Sequence, residues 1–403
     1  MVTSTATITK EETPVLKIDV HSTKAFAPNA ASTNNVSSDI HFRKGEDRID
    51  DNGLLKVSEK EYEDAKYPEW LPTWDPNEKY EPYPADLNVK FSDKGHLASK
   101  DFKDLFPPSK AGSFKIKKLS PKLGSEVRGV QLSELSDAGK NDLALLVAQR
   151  GVVVFRDQDL KDKGLEFNKK FGEYFGPLHT HPSSGAPENY SQFHIVYRRK
   201  DPEEYNKTFG KQLSVRGWHS DVTYEKFTPG TTFFTILDGP ETGGDTIFTD
   251  TVEAYNRLSP KFKEMISGLK AIHTSVRQAA SSRANGGIER RPPSTNIHPL
   301  VRIHPVTKQK SLFTPNFIEE IDGLKKEESD AILKLLFDHV NHSHDLQVRA
   351  SYEPGTVVVW DNRRVLHAGT FDWDSGEVRH CYRITPQAER PVENEDELEE
   401  WNK

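Results

Sequence analysis

The chain has 403 residues, with 55 basic and 62 acidic side chains, one cysteine and a formal charge of −7. That balance, with no sustained basic stripe, argues against a nucleic-acid partner. A single cysteine excludes an intramolecular disulfide framework and points to a reducing compartment, so a cytoplasmic protein is expected. No apolar run approaches the ~18 residues of a membrane span, and the N-terminus lacks a signal-peptide core, so no membrane partner is expected.

Residues 1–45 are rich in Ser, Thr, Ala and Asn without periodicity, which predicts a disordered tail. Residues 46–113 turn aromatic and proline-rich, as in Tyr67-Pro68-Glu69-Trp70-Leu71-Pro72-Thr73-Trp74. With too many rings to leave in water and no regular period, this stretch should drape, extended, over the domain or a neighbouring subunit; a mobile peptide-binding segment is the other reading. Residues 114–390 form one domain large enough for an ample core. Within it the strand signals are Val152–Phe155, Thr231–Leu237, Thr246–Phe248, Thr356–Trp360 and Val378–Ile384. Helices are predicted over Asn141–Arg150, over Pro260–Leu269 with Ser259 as N-cap, and over Ser329–Val340. Residues 280–296 lack a period and hold many turn formers, which predicts a mobile loop or lid. Residues 391–403 read as an acidic, frayed tail. Short strands mixed with a few helices fit a mainly β fold with flanking helices, a double-stranded β-helix or jelly roll.

The chemistry concentrates in Trp218-His219-Ser220-Asp221 and in a distant second histidine, His367, within Trp360-Asp361-Asn362-Arg363-Arg364-Val365-Leu366-His367. Two imidazoles and one carboxylate form a facial triad, which holds one face of an Fe(II) ion and leaves three positions open. In an extended segment residues two apart point to the same side, so His219 and Asp221 can reach one ion. Such pairs also arise by chance among 15 histidines and 62 acidic residues, so the motif needs company. Twelve residues after His367 comes Arg379, and four further on Arg383. On a strand Arg379, Cys381 and Arg383 share one face, the guanidinium groups roughly 13 Å apart, and each offers a planar fork for a carboxylate or sulfonate. Without the triad, two solvated surface arginines would be the simpler reading. Cys381 is a small wall residue or a redox-sensitive thiol.

From Phe114 to Pro386 the chain resembles the taurine dioxygenase (TauD/TfdA) family of Fe(II)- and 2-oxoglutarate-dependent oxygenases, and its extension resembles that of the fungal sulfonate dioxygenase branch. The resemblance rests on Val152-Val153-Val154-Phe155-Arg156-Asp157-Gln158, Leu178-His179-Thr180-His181-Pro182, Trp218-His219-Ser220-Asp221-Val222-Thr223, Thr242-Gly243-Gly244-Asp245-Thr246 and Trp360-Asp361-Asn362-Arg363, in that order. It implies that His219, Asp221 and His367 ligate iron, that Thr246 and Arg379 bind 2-oxoglutarate, and that His181 with Arg383 binds a substrate sulfonate. Dioxygen is the further co-substrate. Thr246 follows paired glycines that permit close backbone approach; an ordinary strand threonine is the alternative. His181 competes with His179, two residues earlier.

The chain also departs from the taurine-specific pattern. Ser184 replaces a tyrosine and Val215 an asparagine that serve the amine end of taurine, so a less polar sulfonate or an alkyl sulfate ester is the expected small-molecule partner. Phe317 is either an apolar wall of that pocket or plain core. Asp361 and Asn362 either orient His367 or form the turn before it. The resemblance implies hydroxylation of the carbon next to sulfur, releasing sulfite and an aldehyde, with sulfate release from an alkyl ester as the alternative. A homo-oligomer is expected. A non-catalytic metal-binding jelly roll would not need Arg379. A zinc hydrolase would want a nearby general base, and none is evident in the motif.

Overall fold

The computed structural model describes residues 42–43, 45–80, 91–200, 206, 217–284, 287–373 and 376–399. The expected disordered tail and Val215 therefore fall outside the described residues, apart from residues 42, 43 and 45.

The aromatic segment is ordered by short elements: strands β1 (Arg48–Ile49) and β2 (Leu55–Lys56), helix α1 (Glu59–Asp64) capped by Ser58, and strand β3 (Thr73–Trp74). The strands pair antiparallel. The segment packs on the chain's own domain: Trp70 and Trp74 are fully buried, and Trp70 stacks on Tyr382 at 4.1 Å between ring centroids.

The domain then runs through β4 (Lys115–Lys118), β5 (Ser125–Arg128), α2 (Asp137–Arg150), β6 (Val152–Phe155), α3 (Gly164–Glu173), β7 (Phe193–Arg198), β8 (Thr231–Asp238) and β9 (Thr246–Asp250). Helices α4 (Thr251–Arg257) and α5 (Pro260–Ile266), β10 (Lys270–Thr274), α6 (Val276–Ala284), β11 (Thr295–Pro299), β12 (Val301–Ile303), β13 (Lys310–Leu312), β14 (Ile318–Ile321) and α7 (Lys326–His342) form the long middle insertion. The last strands are β15 (Gln347–Ala350), β16 (Val357–Asp361), β17 (Val365–Gly369) and β18 (Arg379–Ile384). Two sheets make the jelly roll, one in the order β4-β5-β6-β16-β8-β18-β7 and one in the order β15-β9-β17.

Strict alternation along the strands builds two cores. On β16, Val357 and Val359 face the helical side with Leu143, Val147 and Trp70, while Val358 and Trp360 face the space between the sheets. On β18, Tyr382 and Ile384 face the helical side and Cys381 the inter-sheet space, so Arg379 and Arg383, at its parity, also point between the sheets. The same parity turns Thr246 inward with Phe248 on β9, and His367 with Val365 on β17. A third core lies between α7, β10, β14 and the outer face of the small sheet.

The aperiodic stretch at 280–296 is helical up to Ala284, and Arg290 and Arg291 beyond it are buried at 2% and 4% exposure. Its turn formers said nothing of the partners that distant segments supply to those arginines. The C-terminal segment is not frayed as far as it is described. Val392 and Leu398 pack with Ile303, and Glu393 accepts hydrogen bonds from the Ser267 hydroxyl and the Gly268 amide. Helix Pro260–Ile266 is also shorter than predicted: Ser267 is already extended (φ −66°, ψ 135°), and Gly268 turns the chain in a left-handed conformation (φ 78°).

Candidate active site

His219 reaches the site as an added edge of the small sheet. Its backbone exchanges both hydrogen bonds with His367, His219 N to His367 O at 2.9 Å and His367 N to His219 O at 2.8 Å. This sets the imidazoles side by side, 4.1 Å between centroids. Asp221 follows on a turn in which Val222 adopts a positive φ of 38°, costly for a β-branched residue and found where surrounding contacts over-determine the backbone. The nitrogens and carboxylate oxygen of His219, Asp221 and His367 all lie within 4.8 Å of one another, and among the described residues this is the one such group able to hold a metal ion.

The electrostatics suit a cation. Burial alone would raise the Asp221 carboxyl, but the Arg383 guanidinium and the imidazoles of His367 and His219 hold it below the usual carboxylate range. Burial, with His219 beside it, pushes His367 well below its ordinary value and keeps its lone pair available. The His219 Nδ1 lies 2.5 Å from the Gly217 carbonyl, which turns Nε2 toward Asp221. Asp221 Oδ2 is buried with no hydrogen-bond partner. An orphaned buried carboxylate oxygen beside two imidazoles fits an Fe(II) ion, for which this donor set is suited.

Asn362 acts on Asp221, not on His367. Its Oδ1 accepts from the Asp221 amide at 3.0 Å and the Trp360 indole at 3.2 Å, while its Nδ2 donates to Thr232 Oγ1 at 2.7 Å. It thus orients the carboxylate ligand through its backbone. Asp361 points away, into a buried cluster in which Arg363 grips both its oxygens at 2.8 and 2.7 Å and His304 Nε2 sits 2.9 Å from Oδ2. His367 is instead framed by rings, Phe248 stacked at 5.8 Å and Trp360 at 4.8 Å.

At one end of β18, Arg379 donates from Nε to the Gly244 carbonyl at 3.0 Å and lies over Phe234 and Tyr352. Gly244 is left-handed (φ 64°), and a Cβ there would stand 3.0 Å from Arg379 Nε. Thr246 Oγ1 is 2.7 Å from the Tyr352 hydroxyl, whose ionisation burial suppresses. Thr246 and Arg379 thus occupy one corner, with Tyr352 an additional polar group there. Cys381, between the arginines, is buried, and burial pushes its thiol up to about 11, which makes it a wall residue, not a redox switch.

At the other end, Arg383 donates from Nη1 to Asp221 Oδ1 at 2.6 Å and from Nη2 to His194 Nδ1 at 3.0 Å. His194 faces Arg383 in the β7–β18 register and stands edge-on to His181, 4.4 Å between centroids. The Ser183 and Ser184 amides both approach His181 Nδ1, at 3.3 and 3.1 Å, which places the imidazole proton on Nε2. His179 is engaged elsewhere, 2.9 Å from a Glu225 carboxylate oxygen that also pairs with Arg291. Ser184 is buried and its hydroxyl has no hydrogen-bond partner. Phe317 packs edge-on against Tyr224, 5.1 Å away, on the turn after Asp221, so the structure ties it to core packing there. Sequence reasoning missed His194, Tyr352 and Glu225. His194 sits on a strand with the alternation of β18, a signal that register alone converts into a contact.

A jelly roll carrying a two-histidine, one-carboxylate triad between its sheets is the framework of a metal-binding protein with open coordination positions. Residues 115–385 match the model of the taurine catabolism dioxygenase TauD, TfdA family. The chain is 49% identical over 357 residues to an alpha-ketoglutarate-dependent sulfonate dioxygenase of Saccharomyces cerevisiae, covering 88% of this chain and 86% of the relative. It is 43% identical to an alpha-ketoglutarate-dependent dioxygenase of Penicillium expansum, over 81% of this chain and 90% of that one. The crystal structure of a taurine dioxygenase from Burkholderia xenovorans superposes with a TM-score of 0.56 at 29% identity, covering 70% of this chain and 91% of that one. The chain belongs to the TauD/TfdA family and is a 2-oxoglutarate-dependent dioxygenase that uses Fe(II) and dioxygen.

Proposed function

We propose that this chain hydroxylates the carbon next to sulfur in organosulfonates, with release of sulfite and an aldehyde. The observation that carries the reading is the pair of inward cations on β18, one at a corner with Thr246 and one touching the triad carboxylate with two imidazoles beside it. The sulfonate specificity of the yeast relative supports it. In this reading His219, Asp221 and His367 hold the iron, Thr246 and Arg379 take the 2-oxoglutarate carboxylate, and Arg383 with His181 takes the sulfonate. Bound iron supplies the oxidation: dioxygen and 2-oxoglutarate are consumed, succinate and carbon dioxide form, and one oxygen atom enters the substrate C–H bond. Arg383 and His181 hold the sulfonate oxygens so that the adjacent carbon faces the open side of the triad.

Ser184 supports a substrate whose far end is small or apolar, and Val215 belongs to the same reading as a wall. A cytoplasmic homo-oligomer completes it, which light scattering of the purified chain checks. The deciding assay incubates enzyme, Fe(II), 2-oxoglutarate and a panel of alkyl sulfonates and sulfate esters, and measures sulfite, sulfate and succinate. Sulfite in step with succinate is expected; sulfate alone would favour the ester reaction, and neither would overturn the sulfur chemistry. Anaerobic addition of 2-oxoglutarate to the Fe(II) protein should raise a weak visible charge-transfer band, which a zinc hydrolase would lack.

A further inference from the structure

The loop bearing His181 is held from outside the family domain. Thr73 of β3 pairs with Ala186, Thr73 N to Ala186 O at 2.7 Å and Ala186 N to Thr73 O at 3.1 Å. The approach is so close that a Cβ on Gly185 would stand 2.6 Å from Pro72 and 2.9 Å from the Trp74 ring. A few residues on, the Tyr80 hydroxyl donates to the Thr180 carbonyl. The central piece is Arg290, 2% exposed. Its Nη1 donates to the carbonyls of His181, at 2.8 Å, and Ser184; its amide donates to Pro182 O at 2.8 Å; and its Nε donates to Glu78 at 2.6 Å. One buried guanidinium therefore joins both ends of the His181–Ser184 turn to a carboxylate from the N-terminal segment, and the matched family domain starts only at residue 115.

We propose that Glu78 and Arg290, with the Thr73–Ala186 pairing, form a clamp that fixes the His181–Ser184 turn, so that the N-terminal segment sets the affinity for the substrate anion. The turn is where the Ser183 and Ser184 amides fix the His181 tautomer, so its backbone must be held if His181 is to present Nε2–H. Arg290 is a positioning residue, acting through His181. The guanidinium reaches the two carbonyls from Nη1 and Glu78 from Nε, a spread of donors that the single nitrogen of an ammonium cannot reproduce.

The inference rests on the sulfonate reading for its substrate, and the test separates the two. Arg290→Lys and the milder Glu78→Gln are made in the full chain, and hydrogen–deuterium exchange is followed over residues 179–186 without substrate. Faster exchange there in both variants, with the triad strands as in wild type, is expected; wild-type exchange in both overturns the clamp, whatever the substrate is. Steady-state kinetics with the best alkyl sulfonate should then show its KM raised about tenfold in Arg290→Lys, the order of one lost charge-assisted hydrogen bond, with the KM for 2-oxoglutarate within twofold of wild type. Faster exchange with an unchanged sulfonate KM would overturn the link to affinity. A wild-type enzyme inactive on every sulfonate would refute the substrate reading and leave the exchange result to decide the clamp.

Discussion

The two arginines of β18 share a strand and a face, yet the protein treats them differently. Arg379 is tied down by one bond from Nε to the Gly244 carbonyl, with its face against Phe234 and Tyr352; the bond leaves its Nη atoms for a ligand. Arg383 is invested on both Nη atoms, in Asp221 and in His194. The first is a preformed socket, suited to a co-substrate that never varies. The second is a member of a network whose partners, Asp221 and His194, would have to re-pair for an anion to be received there.

The comparison can be broken at its hub. Asp221→Ala, like His219→Ala or His367→Ala, should abolish succinate formation while circular dichroism stays native; activity near wild type in purified Asp221→Ala would remove the metal assignment and with it the link between Arg383 and the triad. Next in size, Arg379→Ala should raise the KM for 2-oxoglutarate roughly 10- to 100-fold, the equivalent of about 1.5–3 kcal/mol for a lost charge-assisted contact. An unchanged KM would mean the socket is elsewhere. Arg383→Ala gives the mirror image: kcat/KM for the sulfonate falls by about tenfold or more, while 2-oxoglutarate binding, followed by the anaerobic charge-transfer band, stays near wild type. If both ligands weaken together, the two ends are not separate sites.

The smallest expected effect sharpens the second site. A buried ammonium without partners costs about 1–3 kcal/mol, so an alkyl sulfonate with an uncharged tail should exceed taurine in kcat/KM by about tenfold in competition assays of sulfite release. Taurine preferred tenfold over every uncharged tail would show that the residues around Ser184 still receive an amine.

Much of this site was legible because local alternation reports facing. Val378–Ile384 read correctly as a strand with both arginines on one side, and the H-x-D spacing brought His219 and Asp221 together once the segment was extended. What stayed hidden depends on register between strands far apart in sequence. Nothing local distinguishes His194 from any strand histidine; its place opposite Arg383 comes from the β7–β18 pairing. Asp361 and Asn362 were visible as polar residues near His367, but the partners that fix their roles, His304 for one and the Asp221 amide for the other, fall on distant segments. The stretch around Arg290 failed for the same reason, since turn formers describe backbone freedom and not the carbonyls and carboxylate waiting for a buried guanidinium.

The backbone exchange between His219 and His367 also has a consequence for how the chain is made. The two residues lie about 150 positions apart, so the contact closes a long loop whose entropy must be met before the pairing stabilises anything, a topology that folds slowly. A nascent chain still short of β17 owns an H-x-D pair but no third ligand, and one short of β18 lacks both inward-facing arginines. Because β16 and β18 also join β6, β8 and β7 into the large sheet, and β17 completes the small one, synthesis finishes the redox-capable centre and the sheets that shield it together.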